Sequence, residues 1–130
     1  MRLKQKVCAN HVHPDLWCIL SQIDQDHFTW TGKELVLTSV RRKRRVKPSK
    51  HSPGPGMPTK AADFRRFYLD AIGKAQEFCR MLQKKYGKYI GVVLEPEWLT
   101  PKQIRQRGGV AKIAPHIHVQ TKAIPWPRVS

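Results

Sequence analysis

Acidic residues are scarce in this chain. Nine Asp and Glu stand against twenty-five Lys and Arg in 130 residues, a formal charge of +16 at neutral pH. That imbalance argues against a polycationic partner and for an anionic one, either nucleic acid or a negatively charged envelope surface. Cysteine is sparse as well. Cys8, Cys18 and Cys79 are odd in number, widely spaced and form no C-x-x-C pair, which excludes a disulfide scaffold and a cysteine-built zinc site. The apolar helical positions of Cys18 and Cys79 predict buried, reduced thiols. No apolar run approaches the ~18–20 residues of a membrane span. The opening MRLKQKVCANHV lacks the apolar stretch of a secretory signal, so synthesis in the cytoplasm is expected, with any action outside dependent on release.

What is present suits one folded domain. Hydrophobic residues make up 40% of the chain, enough for an ordinary core at this length. Leu16, Ile19, Leu20 and Ile23 recur at helical spacing and predict a helix over residues 13–26, with Pro14 near its start. ELVLTSV, residues 34–40, has strand composition. Residues 41–60 open with RRKRR and continue with four prolines and two glycines, which predicts a basic loop. Phe64, Phe67, Tyr68, Ala71, Ile72, Ala75, Phe78, Cys79 and Leu82 share one face of a predicted long helix, residues 64–85. YIGVVLE (89–95) and HIHVQT (116–121) read as strands, followed by a proline-rich tail. The expected fold is α+β, a small antiparallel sheet packed against two helices.

Three features could build a metal site without cysteine: His51 in the proline-glycine loop, Asp63 in the Ala-Ala-Asp-Phe-Arg segment, and the His116-Ile117-His118 pair. Imidazole nitrogen and carboxylate oxygen are both zinc ligands, and a catalytic site uses three of them. Strand alternation puts His116 and His118 on the same face. His11-Val12-His13 has the same spacing but precedes a helix, and it reads as incidental.

Taken in order, ELVLTSVRRKRR, PSKHSPGPGMPTKAADFR, IGVVLE and PHIHVQ resemble the zinc peptidases related to D-alanyl-D-alanine carboxypeptidase, a group whose site is shared by lysostaphin-type endopeptidases and the hedgehog signalling domain. The resemblance covers residues 12–121 through Thr38, Ser39 and Arg42, then Ser49 and His51, then Asp63 with Arg65, then His116 and His118. It implies a Zn2+ ion held by His51, Asp63 and His118. His116 would stand beside the ion, and Arg42 and Ser49 would contact substrate. The implied substrate is a peptide bond in bacterial cell-wall peptidoglycan, and a bacteriophage lysis or entry enzyme would fit. Such an enzyme would act on the wall after release from the host cytoplasm, or from a virion.

The chain departs from that pattern in two places. A longer stretch separates His51 from Asp63, and the positions where the family carries its acid hold Lys112 and Ile113. If 89–95 and 116–121 pair as an antiparallel hairpin, Glu95 lies near His116 and becomes the first choice for general base, with Glu97 the second. Three alternatives remain open at this stage. One is an inactive zinc-binding module of the same fold. Another is a His-x-His DNA-nicking enzyme, which would need a tyrosine after the histidine pair, where the chain has none. The third is a plain DNA-binding protein that uses the basic segment 41–50.

Overall fold

The computed structural model describes residues 1–4, 12–40 and 60–122. Among them the architecture is α+β, with four helices and a five-stranded mixed sheet. The strands are β1 (Arg2–Leu3), β2 (Val36–Ser39), β3 (Ala61–Phe64), β4 (Ile90–Glu95) and β5 (His116–Thr121), and their spatial order is β1-β2-β3-β5-β4. The β1–β2 pair is parallel and the remaining pairs are antiparallel. The expected sheet thus gains a parallel edge strand that carries no composition signal in its two residues.

The first helix, α1 (Pro14–Thr31), runs a full turn beyond the predicted end and stops at Gly32, whose φ of 71° is left-handed. His13 has a structural task here, since its Nδ1 accepts the Asp15 amide at 3.2 Å and caps the helix. Cys18 is exposed, contrary to the sequence reading, whereas Cys79 is buried as expected.

The predicted helix over 64–85 is three elements. Ala61–Phe64 is a strand, inserted between β2 and β5 with all four residues buried. A five-residue helix α2 (Phe67–Ala71) follows, and α3 (Ala75–Tyr86) completes the segment. Gly73, at φ 67°, makes the break. Its amide donates to Asp70 and the Lys74 amide donates to Leu69, the double closure of a Schellman motif. The periodicity therefore ran across a helix break. Phe67 and Ile72, read as core, are 65% and 45% exposed.

One apolar core lies on one side of the sheet. It joins Leu16, Leu20 and Ile23 of α1 and Phe78, Cys79 and Leu82 of α3 to the inward residues of the strands, among them Phe64, Ile90, Leu94, Ile117 and Val119. Because side chains alternate, the same strands send His116, His118, Gln120, Gly91, Val93, Glu95 and Asp63 to the other side. A short helix α4 (Pro101–Gln106) and a 3-10 turn (Val110–Lys112) follow β4 and lead into β5. Thr100 caps α4 in a reciprocal box with Gln103.

Candidate metal centre

Register assembles the site. Asp63 is directly opposite His118 across the β3–β5 ladder, and Glu95 is directly opposite His116 across β4–β5. Four side chains from three separate stretches of sequence therefore converge at one end of the sheet. Two of them are carboxylates taken almost wholly out of water: Asp63 is 3% exposed and Glu95 is 2%. Burying ionised carboxylates is costly unless cationic or hydrogen-bonding partners surround them.

Each has such partners. His118 Nδ1 lies 2.8 Å from Asp63 Oδ1, and its Nε2 lies 3.0 Å from Gln120 Oε1. Glu95 Oε1 is ion-paired with Arg107 Nη1, while Glu95 Oε2 is 3.3 Å from His116 Nε2. His116 Nε2 is also 3.4 Å from Asp63 Oδ1. On Glu95, burial raises the carboxyl pKa, but His116 and Arg107 outweigh it and hold the group below its ordinary value. On His116, burial lowers the imidazole pKa, but Glu95 and Asp63 outweigh it and raise the ring above its ordinary value. The electrostatics of this corner favour a positive charge.

The His116 ring shows where that charge belongs. Its Nδ1 is 2.7 Å from the Ala114 carbonyl and donates to it, which leaves Nε2 as a lone pair in the neutral tautomer. Nε2 is buried, close to the Glu95 and Asp63 carboxylates but without a well-formed hydrogen bond to either. Asp63, Glu95 and His116 each offer one ligand atom, all within 4.8 Å of one another, so this group could hold a metal ion. The spacing agrees with coordination: tetrahedral ligands with bonds of about 2.0–2.2 Å stand about 3.3–3.6 Å apart. A carbonyl accepting the second ring nitrogen is the usual way a ligating histidine is fixed.

The site opens into a cleft of about 700 Å3. Its floor includes Gly91, Val93, Glu95, His116, His118 and Gln120, and its wall is built from Leu99, Gln103, Arg107, Lys112 and Ile113.

Of the residues singled out in the sequence, Asp63, Glu95, His116 and His118 are brought together. His51, Arg42 and Ser49 lie outside the described residues. Glu97 is committed elsewhere: Arg66 grips its carboxylate at 2.5 and 2.7 Å, and the same guanidinium binds Asp70 and the Glu95 carbonyl. That pairing holds the Glu97 pKa below its ordinary value and leaves Glu95 as the acid at the cluster. Sequence reasoning missed Arg107 and Gln120. Gln120 was legible as the third member of the alternating His116, His118, Gln120 row. Arg107 depended on recognising α4, whose signal was the Thr100-Pro101-Lys102-Gln103 capping pattern.

No protein-family model, curated protein or solved structure matches the chain.

Proposed function

We propose that the protein is a zinc-dependent peptidase that hydrolyses a peptide bond of bacterial cell-wall peptidoglycan. The observation that carries this reading is the convergence of Asp63, Glu95, His116 and His118 on one face of the sheet, with Glu95, His116 and His118 in the floor of a single cleft. The order of motifs that resembles the D-alanyl-D-alanine carboxypeptidase group supports it.

By the resemblance Asp63 would be a ligand of the ion. By the same resemblance His118 would join it; its Nδ1 and Asp63 Oδ1 are hydrogen-bonded at 2.8 Å, which holds the two side chains side by side. His51 is the third ligand by the resemblance. A zinc ion in this position supplies Lewis acidity toward a carbonyl oxygen and lowers the pKa of a bound water.

Glu95 is the general base. Arg107 and His116 keep it ionised, so it can take a proton at the cluster and return it to the leaving amine. The His116 ring, locked by Ala114, points its Nε2 at the same place; as a neutral acceptor it can orient water, and as the imidazolium that its carboxylate neighbours favour it can donate to the developing oxyanion. Arg42 and Ser49 are assigned to substrate contact by the resemblance alone.

A second ligand set has its own support. The orphaned His116 Nε2 and the 3.3 and 3.4 Å separations favour an ion on Asp63, Glu95 and His116. Elemental analysis of purified variants, paired with a peptidoglycan digestion assay, separates the two. With His51, Asp63 and His118 as ligands, Glu95→Gln keeps about one zinc per chain and loses digestion, whereas His118→Ala loses the zinc. With the second set, Glu95→Gln and His116→Ala lose the zinc and His118→Ala keeps it. Wild type without zinc overturns the peptidase, and wild type with zinc but no digestion leaves an inactive binding module.

A further inference from the structure

Phe67 is the most exposed of the large apolar side chains among the described residues, at 65%. A single exposed ring is ordinary, but this one lines a second hollow of about 410 Å3. The other lining residues are Arg65, Arg66, Asp70 and Pro115, and none of the five lines the cleft. The hollow follows from the register. The β3–β5 ladder closes with Phe64 opposite Ile117, so Arg65 and Arg66 leave one strand where Pro115 leads into the other. Helix α2 begins at once, and Phe67 and Asp70, three residues apart, are neighbours on its surface.

Three different chemistries meet there. Phe67 supplies an aromatic surface, and Tyr68 packs against the ring edge-on with 5.6 Å between centroids. Asp70 supplies a carboxylate of fixed orientation. Arg66 donates to it through Nε and Nη2 at 2.9–3.1 Å, and the same guanidinium is anchored on Glu97 and the Glu95 carbonyl. The Asp70 side chain is nevertheless 43% exposed. An ionised carboxylate only accepts hydrogen bonds, so a ligand that meets it must bring donors. Arg65 supplies a cation. Its backbone amide is tied to the Val36 carbonyl, while its guanidinium has no hydrogen bond or ion pair among the described residues.

The matching ligand combines a flat body, paired donors and an anionic group. A guanine nucleotide has all three: a planar base, adjacent N1–H and N2–H donors on its Watson–Crick edge, and a phosphate. An acidic peptide brings the charge without the paired donors on a flat ring, and a neutral sugar lacks the charge. A second copy of this chain, at a formal +16, would be repelled. Unpaired bases are recognised by this combination of stacking on aromatic side chains and hydrogen bonding to base edges.

We propose that the hollow beside α2 is a guanine-nucleotide site in which Phe67 stacks on the base, Asp70 accepts from its Watson–Crick edge and Arg65 pairs with phosphate. It lies outside the cleft and does not rest on the peptidase reading. A free nucleotide and a single strand carry the same chemistry.

The test is fluorescence anisotropy of the purified full chain with labelled single-stranded thymine nonamers whose central base is guanine, adenine, cytosine or thymine. Wild type is expected to bind the guanine strand about 10-fold more tightly than the all-thymine strand, a margin typical of a bidentate base contact. Competition with GMP identifies the source. Displacement by GMP at concentrations comparable to the unlabelled guanine nonamer assigns the hollow to the free nucleotide, and a nonamer about 10-fold or more stronger assigns it to the strand. Asp70→Asn should erase the guanine preference and leave the all-thymine strand unaffected. Phe67→Ala, at an exposed position that folding does not depend on, should weaken the guanine strand about 10-fold. Arg65→Gln should weaken all four strands and lower the slope of log affinity against log salt by about 1. Equal binding of the four strands, or a guanine preference that survives both Asp70→Asn and Phe67→Ala, would overturn the site and return any binding to bulk charge. Displacement of the guanine strand by an N-acetylglucosamine tetramer in wild type would overturn it in favour of a sugar.

Discussion

The two faces of the β4–β5 ladder are built from alternate residues of the same twelve, and they answer to different physics. Toward α1 and α3 the ladder presents Ile90, Val92, Leu94, Ile117 and Val119, all buried and apolar. Toward the cleft it presents Gly91, Val93, Glu95, His116, His118 and Gln120. The first face gains stability from every side chain it hides. The second hides a carboxylate and half-hides two imidazoles, which costs desolvation energy that, among the described residues, Arg107 and the neighbouring histidines offset. A strand that tolerates such a face is held in place by the other one. Stability and chemistry are separated here by a single residue step, so neighbouring substitutions should separate them as well.

The sharpest break in the comparison is Glu95→Gln. Removing a general base typically costs about 10²–10⁴ in rate, and digestion of peptidoglycan should fall by that factor. Thermal unfolding should stay near wild type. The substitution removes a buried charge, and its partner Arg107 is exposed enough to be solvated by water instead. A variant that retains digestion would remove Glu95 from the chemistry.

Ile117→Ala reverses the pattern on the next strand. Ile117 is fully buried between His116 and His118 in sequence but faces the opposite side. Truncation should lower unfolding stability by about 2–5 kcal/mol, measured by denaturant titration, with zinc content per folded chain unchanged. His118→Ala should do the converse, abolishing zinc while costing the metal-free protein far less. If Ile117→Ala empties the site while the chain remains folded, the two faces are not independent.

The separation explains what the sequence could disclose. Period-two alternation in HIHVQT put His116 and His118 on one face, while IGVVLE read as a strand by composition, and Glu95 came opposite His116 only on the supposition that the two strands pair as an antiparallel hairpin. Asp63, His116 and His118 were legible as ligand-type side chains whose order along the chain carried the signal, and Glu95 through its place at the end of a strand that could pair with theirs. The interval 61–74 was not. Ala-Ala-Asp-Phe is a strand only because β2 and β5 flank it, a tertiary fact, and its neighbours continue a helical period through Gly73. Arg107 was hidden for a related reason: a basic residue in a polar stretch has no pattern until α4 returns it to the sheet.

Gly73 tests that point at a smaller scale. A Cβ at this position would meet nothing within 4 Å, but the φ of 67° is one that L-residues rarely adopt. Gly73→Ala should therefore cost about 1–2 kcal/mol through backbone strain alone, read by thermal or chemical denaturation, with zinc and digestion unaffected. A neutral or stabilising result would mean that α2 and α3 can run on as the single helix the periodicity suggested.

The smallest expected effect is a slope, and it belongs to the core face. His27 of α1 is fully buried, with Nδ1 donating to the Lys33 carbonyl at 2.7 Å and Nε2 left without a partner. Tyr68 and Phe78 meet its ring edge-on. Burial lowers its pKa, and neither the Lys33 carbonyl nor the more distant Asp24 charge restores it. The unfolded chain therefore takes up this proton more readily than the folded one. The contribution of His27 is complete above the ordinary histidine range and is lost as the pH falls through the lower, folded value. Denaturation at a series of pH values from 7.5 down to about 5 should show stability declining with acidity, and His27→Gln should flatten that decline whatever it does to the absolute stability. An unchanged slope in the variant would show that His27 does not carry the acid sensitivity.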